Sequence, residues 1–95
     1  MIVHEAIAGT LESSDLMVRI GPGKGGIDIT IASIVLAQFG DAIRREVENT
    51  LKNLGVSDAR VTIDDKGALD CVIRARVQTA VARAADSFAY TWEKF

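Results

Sequence analysis

The sequence predicts an α+β fold, a two-layer sandwich in which a mainly antiparallel sheet of about four strands is covered by two helices. Apolar residues alternate with polar ones in the first third of the chain and again near residue 60, a period typical of half-buried strands. Apolar residues three and four apart over residues 34–54 and 68–85 indicate two amphipathic helices. The order β-β-β-α-β-α fits one domain over residues 1–95, since 95 residues is the length of a single domain, and the hydrophobic fraction of 48% is that of an ordinary globular protein.

The first two strands flank a polar loop. The segments AIAGTL and LMVRI are rich in β-forming residues, and the ESSD between them has the length and composition of a hairpin turn. A third strand, GIDITIAS, alternates Ile27, Ile29 and Ile31 inward with Asp28 and Thr30 outward. These patterns predict a hairpin followed by a third strand.

The glycine-rich segment GPGKGG, residues 21–26, is predicted to be a mobile connection between the second and third strands. A phosphate-binding loop would need Ser or Thr after Lys24 and a helix directly behind it, whereas two glycines and a strand pattern follow. A flexible turn is therefore the prediction.

The first helix is predicted over residues 34–54, with Ser33 as its N-cap and Gly55 as its end. Its charged outer face is typical of a solvated surface. The strand ARVTIDD and the turn DDKG follow. A second helix is then expected from about residue 68 to residue 85. Its predicted apolar side comprises Leu69, Val72, Ile73, Val77, Ala80, Val81 and Ala84. The aromatic tail SFAYTWEKF could add an edge strand or dock on another protein.

Composition argues against several classes of protein. The formal net charge of −2 lacks the basic excess of a nucleic-acid-binding surface. The apolar stretches are far shorter than the ~20 residues that span a bilayer, and no secretory signal is evident. Cys71 is the single cysteine and cannot form an internal disulfide, which favours a reducing compartment. A cytoplasmic protein without nucleic-acid or membrane partners is the expectation.

The sequence offers no convincing catalytic or metal-binding set. His4 is the single histidine, expected in a frayed N-terminus, so neither a zinc site nor a Ser-His-Asp triad is indicated. Cys71 is expected to be a small buried side chain. Asp64 and Asp65 should point to opposite faces of a strand, a poor arrangement for acid–base catalysis.

Ser13 and Ser14 form a polar tip between the first two predicted strands. A hairpin tip presents its side chains to other proteins, and a serine hydroxyl can attack an activated phosphate when a modifying enzyme supplies the base. Turn chemistry alone is the simpler explanation for two serines here. From the residues alone both interpretations stay open.

Three stretches, AGTLESSDLMVRIGP, QFGDAIRREV and DDKGALDCVIRARVQ, resemble the acyl carrier protein of citrate lyase, its gamma subunit, in order from about residue 8 to residue 85. The carrier subunit of malonate decarboxylase is a more distant relative. The resemblance implies that the serine of GTLES, here Ser13, bears phosphoribosyl-dephospho-coenzyme A through a phosphodiester. Many family members have glycine at the next position, where this chain has Ser14, and the Leu-Glu-Ser framing favours Ser13.

The resemblance further implies a non-catalytic carrier of citrate fermentation. The thiol of the arm would hold acetyl, the alpha subunit (acyl transferase) would exchange it for citryl, and the beta subunit (citryl lyase) would release oxaloacetate. A prosthetic-group transferase would load the arm. Asp15 and Arg19 could steer these partners or contact the arm's phosphates. The alternatives are a malonate decarboxylase carrier, an unmodified α+β interaction module, and a small hydrolase using Ser13.

Overall fold

The strands and helices follow the predicted order. The computed structural model describes residues 2–33 and 36–85. The six elements are β1 Ala6–Gly9, β2 Leu16–Gly21, β3 Ile27–Ser33, α1 Leu36–Asn53, β4 Ala59–Asp65 and α2 Asp70–Ala84. The β-β-β-α-β-α sequence and the α+β class are confirmed, and the aromatic tail lies outside the described residues.

The four strands form one sheet in the order β1-β2-β4-β3. β1 pairs antiparallel with β2, as the hairpin prediction requires, and β2 pairs antiparallel with β4. β3 and β4 are parallel and are joined through α1, because a parallel pair needs a crossover connection. Two of the three pairings are antiparallel, so the sheet is mainly antiparallel, as predicted.

Both helices pack on the same face of the sheet. The central strands bury every second residue completely, and the helices complete the core with aliphatic and alanine side chains. The described core side chains of β2, β4, α1 and α2 are Leu16, Val18, Ile20, Ala59, Val61, Ile63, Ile43, Val47, Leu51, Ile73, Val77, Ala80, Val81 and Ala84. On the other face, the neighbouring residues Arg19, Thr62 and Thr30 are exposed. The core is therefore one layer between sheet and helices.

The two edge strands each receive an arginine from the helical layer. Arg83 of α2 donates from Nη1 to the carbonyl oxygen of Ile7 in β1, at 2.7 Å. Arg44 of α1 donates from Nη1 to the carbonyl oxygen of Ile29 in β3, at 3.0 Å. Unpaired backbone groups at sheet edges favour association with other chains. The two arginines each satisfy one such group.

The predicted end of the first helix is confirmed, and its predicted N-cap, Ser33, stays a prediction because residues 34 and 35 lie outside the described residues. Gly55 has φ +77°, and the amide of Val56 donates to the carbonyl of Leu51 at 2.9 Å, as in a Schellman motif. Ser33 is the last residue of β3, three positions before α1 begins. Its hydroxyl donates to Asp65 Oδ2 at 2.8 Å. This hydrogen bond links the end of β3 to the end of β4.

The N-terminal segment is not frayed. The amide of Val3 donates to the carbonyl oxygen of Ala84 at 3.0 Å, and His4 Nε2 lies 2.7 Å from the carbonyl oxygen of Arg83. Ile2 is buried against the core. The C-terminal carbonyls of α2 therefore hold the start of the chain. None of the described helices is long and apolar enough to cross a membrane.

Candidate attachment site at the β1–β2 loop

The loop between β1 and β2 carries both serines at its tip. Residues 11–14 are exposed, and Ser13 is among them. Within the described part of the chain, the Ser13 hydroxyl has no hydrogen-bond partner. The hydroxyl is therefore presented to solvent, where a second protein can reach it.

Ser14 has a different role from its neighbour. Its φ is +64°, in the left-handed region that side chains disfavour, and its amide donates to the carbonyl oxygen of Lys66 at 2.8 Å. The amide of Lys66 in turn donates to the carbonyl oxygen of Asp15 at 2.9 Å. These two backbone hydrogen bonds attach the second half of the loop to the turn after β4.

Asp15 closes the base of the loop. Arg76 of α2 donates to both of its carboxylate oxygens, from Nε to Oδ1 at 3.1 Å and from Nη2 to Oδ2 at 2.9 Å. The Thr10 hydroxyl donates to Oδ2 at 2.6 Å and the Leu16 amide to Oδ1 at 2.7 Å. The carboxylate is 13% exposed. It is occupied inside the loop, so the predicted role of Asp15 in steering partners is not supported.

These donors favour the ionised form of Asp15. The Arg76 guanidinium, followed by the Thr10 hydroxyl, lowers the pKa of the Asp15 carboxyl to about 2. A carboxyl whose pKa is lower in the folded than in the unfolded chain stabilises the fold above its unfolded pKa. That contribution is lost as the pH falls through the folded pKa.

We expect Asp15→Asn to lower the free energy of unfolding at pH 7 by on the order of 1–2 kcal/mol, allowing for the partly exposed guanidinium. The difference between wild type and variant should shrink as the pH falls from about 4 to about 2, because Asp15 then becomes protonated. Urea unfolding at pH 7, 4 and 2.5 measures it. A difference that stays constant over this range would contradict the assigned pKa.

Asp65 organises the turn on which the loop rests. It is 1% exposed, and it accepts hydrogen bonds from the Gly67 amide at 3.1 Å and the Ala68 amide at 3.0 Å besides that from Ser33. Asp64 points the other way and pairs with Lys66 at 3.4 Å. The prediction that these two carboxylates lie on opposite faces is confirmed. Asp65 thus fixes the turn in which the carbonyl oxygen of Lys66 accepts the hydrogen bond from the Ser14 amide.

A cavity of about 600 Å³ lies beside this turn and is lined by Ile43, Gly67, Leu69, Cys71 and others. Leu69 is 69% exposed, and Cys71 is exposed as well, so both predictions of burial are wrong. Cys71 precedes the buried Ile73 by two positions, about 200° around a helix, and so faces away from the sheet.

The other sequence-predicted features lie apart from Ser13. Of the glycine-rich segment 21–26, Gly21 ends β2 and residues 22–26 connect β2 to β3 at the far end of the sheet, roughly 17–20 Å along β2 from the serine loop. Arg19 is exposed on the open sheet face, and its predicted role stays a prediction. Among residues 2–33 and 36–85, no three His, Cys, Asp or Glu side chains are grouped to hold a metal ion.

Two comparisons bear on this loop and sheet. The family model of the malonate decarboxylase delta subunit (MdcD) matches residues 3–84. The citrate lyase acyl carrier protein of Pectobacterium atrosepticum is 55% identical over 93 residues, 98% of this chain and 97% of the relative. That of Vibrio cholerae serotype O1 is 60% identical over 94 residues, 98% of this chain and 96% of the relative. The chain belongs to the citrate lyase acyl carrier protein family.

As a member of this family, the chain is a carrier subunit of a lyase complex, and the acyl carrier family implies a covalently attached prosthetic group. A chain in the crystal structure of a Pseudomonas malonate decarboxylase hetero-tetramer in complex with malonate has the same fold, with a TM-score of 0.73. It is 24% identical, and the match covers 85% of this chain and 84% of that one. The α+β fold predicted from the sequence is thereby confirmed.

Sequence reasoning missed the residues that hold the loop in place. Arg76 and Asp65 both lie in the third stretch that resembles the family, DDKGALDCVIRARVQ, but no local spacing links either residue to the serines. The contact between Arg76 and Asp15 spans 61 positions. From sequence alone, an arginine on a helix is interpreted as a solvated side chain, because nothing in the local sequence indicates that it contacts a carboxylate in a distant loop.

Proposed function

We propose that this carrier protein bears phosphoribosyl-dephospho-coenzyme A on Ser13. In the attachment step, Ser13 Oγ forms a bond to an activated phosphorus. The leaving group departs, and the hydroxyl proton passes to a base of the transferase. The observation that carries the proposal is the position of Ser13, whose exposed hydroxyl has no hydrogen-bond partner among the described residues and lies on a loop fixed at both of its ends. When bound, the arm supplies the thiol that forms the acyl thioester.

The conformation of the loop favours Ser13 over Ser14. The backbone of Ser14 occupies the left-handed region and its amide is hydrogen-bonded to Lys66, so this residue shapes the turn. Glycine adopts such a conformation readily, which would explain the glycine that the resemblance implies at this position in many family members. Ser13 has neither a left-handed backbone nor, among the described residues, a hydrogen bond from its amide. Its side chain is the better candidate for attachment.

The proposed role is that of a non-catalytic cytoplasmic carrier. The chain offers the arm a rigid platform, while acyl exchange and citryl cleavage are assigned to the alpha and beta subunits of citrate lyase. Tethering a thioester raises its effective concentration at successive active sites. Identities of 53–60% to citrate lyase carriers favour this assignment over a malonate decarboxylase carrier, to which the family model and the fold also relate.

Mass spectrometry tests the proposal. The wild-type chain is co-produced with the prosthetic-group transferase and its donor-forming enzyme, and compared with chain produced alone. Trypsin releases residues 1–19 as one peptide containing both serines, because Arg19 is the first basic residue at which trypsin cuts. Tandem spectra should place the added mass on Ser13.

The other outcomes identify the alternatives. No mass gain would favour the unmodified interaction module, and a gain located on Ser14 would move the anchor by one residue. Labelling of Ser13 by a fluorophosphonate would favour the small hydrolase. For the complex, loaded carrier mixed with citrate lyase alpha and beta subunits should cleave citrate. If the loaded carrier instead supports decarboxylation of malonate with malonate decarboxylase subunits, and does not support cleavage of citrate, the second carrier family would be favoured.

A further inference from the structure

We propose that Arg76 is a positioning residue for attachment of the arm, an inference that rests on the proposed function of Ser13. Arg76 lies on α2, between the buried Ile73 and Val77, which hold this part of the helix against the core. Its guanidinium binds both oxygens of Asp15. A two-point contact between a guanidinium and a carboxylate fixes orientation as well as distance. The helix layer thereby determines where the loop lies.

The contact with Arg76 extends along the loop to the residue before Ser13. Asp15 Oδ2 accepts from Nη2 of Arg76 and from the hydroxyl of Thr10, and Thr10 Oγ1 accepts from the amide of Glu12 at 3.3 Å. Arg76, Asp15, Thr10 and Glu12 thus form one connected network. Thr10 and Asp15 belong to opposite arms of the loop. The network ends on the immediate neighbour of Ser13.

The residue after Ser13 is fixed by a second route. The Ser14 amide binds the Lys66 carbonyl, and the Lys66 amide binds the carbonyl of Asp15, the same residue that Arg76 holds. Ser13 therefore lies between Glu12 and Ser14, both restrained through Asp15. A nucleophile held in one position requires less ordering when the transferase binds it.

Removing the guanidinium should reduce the fraction of carriers whose loop is ready to bind. Asp15 would keep the hydrogen bonds from Thr10 and Leu16 but would lose its sole contact from α2 among the described residues. When a binding-competent conformer is partly populated, the apparent affinity falls in proportion to its population. We expect Arg76→Gln to raise the KM of the transferase for the carrier about tenfold and to change kcat less than twofold.

The matched control is Arg74→Gln. Arg74 lies two residues earlier on the same helix and pairs with Glu46 of α1 at 3.4 Å, away from the serine loop. Arg76→Lys retains the positive charge and loses the two-point geometry, so its KM should lie between those of wild type and Arg76→Gln. Thermal unfolding of each variant shows whether it remains folded at the assay temperature.

Initial rates of mass gain against carrier concentration give KM and kcat, and amide hydrogen exchange at Ser14 reports on the loop without the transferase. For Arg76→Gln we expect Ser14 exchange about tenfold faster, while Arg74→Gln stays within twofold of wild type in both measurements. Equal KM values for Arg76→Gln and Arg74→Gln would overturn the inference, as would unchanged Ser14 exchange. A wild-type carrier that gains no mass on Ser13 would instead refute the proposed function.

Discussion

Replacing Ser13 with alanine is expected to abolish attachment of the arm completely, whereas replacing Ser14 with glycine should leave attachment intact. Alanine removes the hydroxyl oxygen that forms the phosphodiester and leaves the loop hydrogen bonds in place, since none of those described involves the Ser13 side chain. Glycine at position 14 retains the amide that binds Lys66 and adopts φ +64° readily. Intact-mass measurement after co-production with the transferase distinguishes the two variants.

Stability measurements on the same variants show whether a loss of attachment comes from removal of the hydroxyl or from unfolding of the chain. We expect Ser13→Ala to change the free energy of unfolding by less than about 0.5 kcal/mol, as is usual for exposed positions. Ser14→Gly should change it by a similarly small amount, because the relief of backbone strain at φ +64° is offset by the greater flexibility of glycine in the unfolded chain. Ser14→Val should lower it by about 1–2 kcal/mol, because a β-branched residue is disfavoured at positive φ. Mass gain that persists in Ser13→Ala, with the chain folded, would contradict the assignment of the anchor.

Much of the sheet could be predicted because its strands bury one face. The run of β-forming residues in LMVRI and the alternation of Val61 and Ile63 with polar residues predicted β2 and β4 correctly within a residue or two. The hairpin followed from the turn residues between β1 and β2. The parallel pairing of β3 with β4 could not be predicted in this way. Periodicity shows which face of a strand is buried and carries no information on its neighbour.

The errors arose where tertiary contacts decide the outcome. The hydrogen bond from the Ser33 hydroxyl to Asp65, at the end of the neighbouring strand, could not be predicted from local sequence. Leu69 precedes α2 and so follows no helical period, and Cys71 lies off the buried face of α2. The exposed serine tip was predictable from local sequence. The side chains beneath it were not, since Arg76 and Asp15 meet only after α2 has packed on the sheet.

Gly9→Ala should have the largest effect on stability. Gly9 ends β1 with φ +98°, and a Cβ added there would collide with the carbonyl oxygen of Leu16, which accepts a hydrogen bond from the Thr10 amide. Alanine therefore combines an unfavourable backbone conformation with displacement of a backbone atom in the adjacent strand. We expect the free energy of unfolding to fall by about 3–4 kcal/mol, the sum expected from left-handed strain and overpacking.

Gly25→Ala separates these two contributions. Gly25 has nearly the same φ, +97°, but nothing lies within 4 Å of an added Cβ. We therefore expect Gly25→Ala to lower the free energy of unfolding by about 1 kcal/mol, since the backbone strain is partly offset by a less flexible unfolded chain. Urea unfolding of both variants measures the difference, which we attribute to the collision with Leu16. Equal losses would mean that β2 moves aside freely at the base of the loop. A fixed platform under Ser13 could not then be maintained, because the Leu16 amide is one of the donors that hold Asp15.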